Sequence, residues 1–128
     1  MAAKKETLSN SLLDAVLSAV AFVSPVTVYT GLYTVAPTAT TAGTEVAGGA
    51  YARVASAFSG ATAGATSNSG AITFPIASAP WGTVVAAAIS DALVAGNQLY
   101  FGNLGTSKVV GIGDQLNFAI AALSVTES

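Results

Sequence analysis

The sequence predicts an all-β fold: an antiparallel β-sandwich, jelly-roll-like, of about seven to eight strands, with one N-terminal α-helix. Three observations carry that expectation. Runs with period-two alternation recur from residue 26 to residue 126, punctuated by turns rich in Gly, Pro, Ser and Asn. The segment before Pro25 has helical spacing instead. The longest strand-like tract is apolar on both faces, and such a sheet needs a layer on each side. The chain divides accordingly into an N-terminal arm and helix, residues 1–24, and a sandwich domain, residues 25–128.

In residues 8–22, Leu8, Leu12, Leu13, Val16, Leu17 and Val20 fall on one helical stripe. Ser11 with Asp14 three residues on resembles a capping box, and Ser9 is a competing N-cap. Pro25 requires the helix to stop before it. Packing on its own sheet is the simpler expectation for this stripe; plugging into a neighbour is the other. Lys4, Lys5 and the apolar run 12–23, with Ala19-Val20-Ala21, imitate a secretory signal. Asp14 and Ser18 interrupt that run, and its apolar density is too low for a span of about 20 residues. The segment therefore reads as a helix, with no membrane partner.

After Pro25 the period changes to two. Val26, Val28, Thr30, Leu32 and Thr34 share one face, and Tyr29, Tyr33 and Val35 the other, with Gly31 marking a bulge or a close approach. Residues 36–50 and 59–70 have loop composition, and the first is long enough to be a binding arm or partly mobile. Between them residues 51–58 form a strand. Its Arg53 reads as a surface arginine paired with Glu45 or, more sharply, as an intersubunit contact. Residues 71–77 form a short strand with Pro75 at an edge or end. Residues 81–104 form the central hairpin, with a loop from Asp91 to Asn97; Trp81 opens it, and Tyr100 and Phe101 point to opposite faces. Residues 105–108 read as a polar turn, 109–112 as a strand and 115–126 as another. In that last run Leu116, Phe118 and Ile120 oppose the parity of Leu123 and Val125, so a bulge near Ala121 and Ala122 is expected.

Composition narrows the function. Of 128 residues, 52% are hydrophobic and 8% charged, with net charge −2; an ordinary soluble domain carries roughly 25% charged residues. A surface so poor in charge suits a protein packed against copies or other proteins. Lys4, Lys5, Arg53 and Lys108 form no basic patch, so nucleic acid is not an expected partner. The chain has no histidine and no cysteine, which removes a serine triad and thiolate metal sites. Gly111-Ile-Gly113 is not a dinucleotide fingerprint, because Leu116 stands where the third glycine belongs. The acids are scattered, and Asp91 and Asp114 sit in turns. The expectation is a protein that is not an enzyme and needs no cofactor or metal.

Leu8-Ser-Asn-Ser-Leu-Leu-Asp-Ala-Val-Leu17, Val28-Tyr-Thr-Gly-Leu-Tyr-Thr34, Tyr51-Ala-Arg53, Thr73-Phe-Pro75 and Trp81-Gly-Thr83 occur in that order. Their order and spacing resemble a family of small virion proteins of tailed bacteriophages, described as tail-fibre-like or head-decoration proteins. The resemblance spans about residues 8 to 125 and implies a structural role in the virion, assembled in the host bacterial cytoplasm, with no catalytic motif to transfer. The first expectation is a capsid decoration (cement) protein that forms trimers and binds the major capsid protein or another virion protein. The alternative is a collar, tail or tail-fibre component, and a carbohydrate-binding adhesive module ranks below both. The expected contact residues are Leu12, Leu13 and Val16 on the helix and Tyr29, Tyr33, Arg53, Trp81 and Tyr100 on the strands.

Overall fold

Strand β2 (Val28–Val35) lies at the centre of the molecule, buried on both faces from Thr30 to Tyr33. The computed structural model describes residues 3–22, 25 and 27–126; Val26, expected on one face of this strand, lies outside them. Antiparallel to β2 runs β7 (Gly82–Ser90), which pairs on its other side with β8 (Gln98–Val110). The predicted hairpin is therefore present, closed by the Asp91 N–H donating to the Asn97 carbonyl. Around it are β1 (Ala3–Lys4), β3 (Thr44–Glu45) and β4 (Val54–Ser56). They complete a six-stranded sheet in the order β1-β8-β7-β2-β3, with β4 also paired to β2.

Two ribbons form a second layer, β5 (Ala65–Ser67) with β10 (Ser124–Thr126) and β6 (Ile72–Thr73) with β9 (Asn117–Phe118). The fold is thus the expected antiparallel sandwich with one N-terminal helix. Its second layer consists of two two-stranded ribbons rather than one continuous sheet. The main core fills the space between layers, with Leu32, Ile72, Phe74, Trp81, Val84 and Leu123 among its members. Tyr51 stacks on Phe74 at 6.3 Å between ring centroids and meets Trp81 edge-on at 5.4 Å. A smaller cluster of Tyr33, Ala86 and Ala88, flanked by Phe101, forms separately.

Several boundaries differ from the sequence reading. Residues 105–108 do not end a strand. Lys108 pairs with Val84 and Asn103 with Ala86, so β8 makes an excursion there and then resumes. Residues 115–126 are split by a turn, with the Ala122 N–H donating to the Ala119 carbonyl and Ala121 at φ 65°. The parity conflict marked the right place, but a turn resolves it, leaving Ile120 exposed while Leu123 and Val125 are buried. Both supposed loops carry strands. In the second, Thr62 and Ala65 exchange backbone hydrogen bonds around Ala63 (φ 54°) and Gly64 (φ 77°), a two-residue turn needing left-handed backbone twice. Ala63→Gly should remove the Cβ strain there and stabilise the fold by about 0.5–1 kcal/mol, read as a rise of a few degrees in melting temperature.

The helix α1 (Glu6–Leu17) starts earlier than predicted and ends sooner. Neither Ser9 nor Ser11 caps it. Lys5 is the N-cap without a side-chain bond, and the Glu6 N–H donates to the Ala39 carbonyl of the 36–43 loop. A tertiary contact thus replaces the local cap. At the other end the Ser18 and Val20 N–H groups both reach the Asp14 carbonyl while Ala19 turns left-handed at φ 57°. The expected packing of the stripe within its own chain holds only at the helix start, where Leu8 is buried and Leu12 half-buried. Leu8 is the one buried residue of α1, and Leu13, Val16 and Leu17 are exposed.

Candidate interaction surface

β3 returns alongside β2 and places Glu45 opposite Tyr33. Arg53, just before β4, reaches the same spot. Its Nε and Nη2 donate to Glu45 Oε2 and Oε1, each at 2.8 Å, a bidentate pair. The Tyr51 hydroxyl donates to Glu45 Oε2 at 2.6 Å and accepts from the Leu32 N–H. Arg53 Nη1 donates to the carbonyls of Ala92 and Ala95, both at 2.8 Å, in the hairpin loop. One guanidinium therefore ties β3 to the tip of the central hairpin. Gly31 explains the close fit: a Cβ there would stand 2.8 Å from Glu45 Oε2 and 3.0 Å from the Tyr51 hydroxyl.

Burial opposes ionisation of Glu45, but the hydrogen bonds from Arg53 and Tyr51 outweigh it and hold the carboxyl below its ordinary value of 4.5. The Glu45 hydrogen bond, working against burial, raises the Arg53 pKa; burial above all raises those of Tyr51 and Tyr33. The sign for stability follows from Glu45. A depressed folded value means that the unfolded chain takes up the proton first on acidification. The pair's contribution is whole above pH 4.5 and is lost as pH falls through the lower folded value. Denaturant titrations of wild type and Glu45→Gln should accordingly converge in acid and separate above that range.

Lys5 is a second internal clamp. Its Nζ donates to the carbonyls of Thr38 and Thr41 and lies 5.9 Å from the centre of the Phe101 ring. Two of the four basic residues are thus consumed in holding loops, which leaves the exterior still poorer in charge.

The predicted contact residues divide. Trp81 is only 4% exposed, with its Nε1–H bonded to the Gly49 carbonyl, and Tyr33 is likewise buried. Both are core residues of this chain and are removed from the set of surface anchors. Arg53 is spent on Glu45 and the hairpin loop, in line with the plainer expectation for it. Leu12, Tyr29 and Tyr100 are half-buried, and Leu13 and Val16 are exposed.

Tyr100 lines an apolar groove of about 470 Å³ between the main sheet and the β5–β10 ribbon, whose walls also include Val28, Phe58, Ile89, Leu99 and Val125. Leu99 also faces a hollow beneath α1, shared with Asp91 and Asn97 of the hairpin loop. Leu99 thus borders both the groove and the hollow. The tip of the hairpin loop exposes Leu93 and Val94. The sequence reading missed them, although an apolar pair inside a hairpin loop was a usable signal. The groove had no such signal, because its walls come from strands distant in sequence. Among the described residues, no three acidic side chains converge, and no helix is long and apolar enough to cross a membrane.

A protein-family profile, Gp80, described as podophage GP4 fiber I protein gp80, matches residues 3–126. The chain belongs to that family. This makes it a phage virion protein of the fibre type and agrees with the resemblance drawn from residues 8 to 125. The match supports the tail-fibre alternative better than capsid decoration. Among curated proteins, none matches this Gp80-family chain. Within the family match fall both the sandwich and α1, so the uncovered helix is part of the matched unit rather than an appendage to it.

Proposed function

We propose that this chain is a non-enzymatic structural component of a podophage tail fibre, acting through self-association and through contacts with other virion proteins. The observation that carries the reading is the fibre-family match across residues 3–126. The physical setting agrees with it. A surface with 8% charged residues gains little from water, and the molecule exposes an apolar helix stripe, an apolar groove and an apolar loop tip. A trimer, or another closed ring, would cover these surfaces with repeated copies of one contact. Binding strength then comes from repetition rather than from any single strong site.

The test is to locate the protein on the particle. A gold-labelled or density-tagged copy, imaged on purified phage, should appear on the tail in a small multiple set by the fibre symmetry. A label spread over the head in hundreds of copies would overturn the fibre reading and restore capsid decoration.

A further inference from the structure

We propose that the apolar stripe of α1 in one copy seats in the groove between the main sheet and the β5–β10 ribbon of the next copy. This rests on the self-association part of the reading above, and not on which part of the virion holds the protein.

The helix itself supplies the first argument. A helix of 12 residues is marginal in water on propensity alone and needs a packed face. Within its own chain α1 buries Leu8 and leaves Leu13, Val16 and Leu17 exposed; past the turn at Ala19, Val20 and Phe22 are partly exposed as well, at the mouth of the hollow under α1. The second argument is area. The exposed parts of these five residues amount to roughly 500 Å², so covering them removes about 1,000 Å² counting both partners, the lower bound for a specific interface. A full ring repeats that contact at every junction.

The third argument is complementarity within one chain. The stripe is convex, apolar and uncharged. The groove is concave and apolar, walled by the aliphatic Ile89 and Val125 and the aromatic Phe58 and Tyr100, with no charged residue among its described walls. Leu13, Val16 and Leu17 line neither the groove nor the hollow under α1. Stripe and groove are therefore different surfaces, so the contact is head-to-tail. Such contacts build rings when the rotation closes. A helix pairing with its own copy about an axis would leave the groove unfilled in every subunit.

Substitutions on both sides test this on the full chain. Wild type should sediment as an oligomer at tens of micromolar. Val16→Glu should shift it to monomer; Val16 is 78% exposed, so the subunit fold should survive, as circular dichroism would show. Leu17→Glu should act alike. Ala61→Trp, filling the groove from its rim, should dissociate the oligomer from the other side. Because the chain has no cysteine, Val16→Cys and Ala61→Cys copies can be mixed under mild oxidation. The mixture should give at least tenfold more disulfide dimer than either variant alone. A monomeric wild type would overturn both the contact and the self-association reading. An oligomer that survives both helix variants, or crosslinks mainly Val16→Cys to itself, would overturn the groove contact alone. The particle label reports on the fibre assignment independently of either result.

Discussion

Trp81→Ala should destabilise the subunit by about 3–5 kcal/mol, a large part of the 5–15 kcal/mol that holds a domain of this size. Trp81 is 4% exposed and sits where β7 begins. Its ring closes the aromatic group with Tyr51 and Phe74, and its Nε1–H is the donor to the Gly49 carbonyl at 2.8 Å. Removing the side chain opens a cavity that residues on separate strands cannot easily collapse into. It also removes one of two donors to the Gly49 carbonyl, which keeps the Ser78 N–H at 3.0 Å. Trp81→Phe separates the two losses: it keeps most of the packing and drops one donor to a carbonyl that Ser78 still satisfies, for about 0.5–1.5 kcal/mol. Urea titrations followed by circular dichroism give both values, since the sole tryptophan is the residue removed. A loss below 1 kcal/mol for Trp81→Ala would mean that the aromatic group does not organise the core.

That role was hidden in the sequence for a physical reason. A lone tryptophan at the start of a strand reads equally well as an interface anchor or a core residue, because the period-two pattern gives its parity and not what covers it. The fate of Tyr33 was undecided on the same ground. By contrast, the β7–β8 hairpin was legible: its arms are long and its loop chemistry is local, with Asp91 Oδ1 accepting from the Asn97 N–H. The division of β2 into two faces also followed from alternation, though not that both would be covered. What was not legible was whatever depends on distant segments. The α1 N-terminus is satisfied by Ala39 and Lys5 is held by the 36–43 loop, so no local cap pattern could place the start of the helix. The groove lies between strands that only the fold brings together.

The charge deficit takes on a sharper meaning in the structure. Ten charged residues were already too few to cover the surface. Arg53 and Glu45 spend their charges on each other, and Lys5 spends its own on two carbonyls. The exterior is therefore more neutral than composition implied, while the hairpin and 36–43 loops are held by buried cations. Rigid loops beside an apolar surface lower the ordering cost of association.

A double-mutant cycle on Arg53 and Glu45 should show strong coupling. The side chains are 9% and 24% exposed, so removing either partner leaves a poorly solvated charge behind. Glu45→Gln should cost about 3 kcal/mol, and Arg53→Met a similar amount or more, since Met also abandons the Ala92 and Ala95 carbonyls. The double mutant should cost clearly less than the sum, by about 1–3 kcal/mol, because neither charge is then stranded. Hydrogen exchange distinguishes the two halves of the clamp. In Glu45→Gln the guanidinium still holds the hairpin tip, so amides of residues 92–97 keep their protection. In Arg53→Met the tip loses its tether and those amides should exchange faster, while the β7 and β8 amides near Ala87 and Gly102 do not. Additive costs, or unchanged exchange at the tip, would show that Arg53 is a solvated ornament of the surface rather than the tie between β3 and the exposed Leu93–Val94 tip.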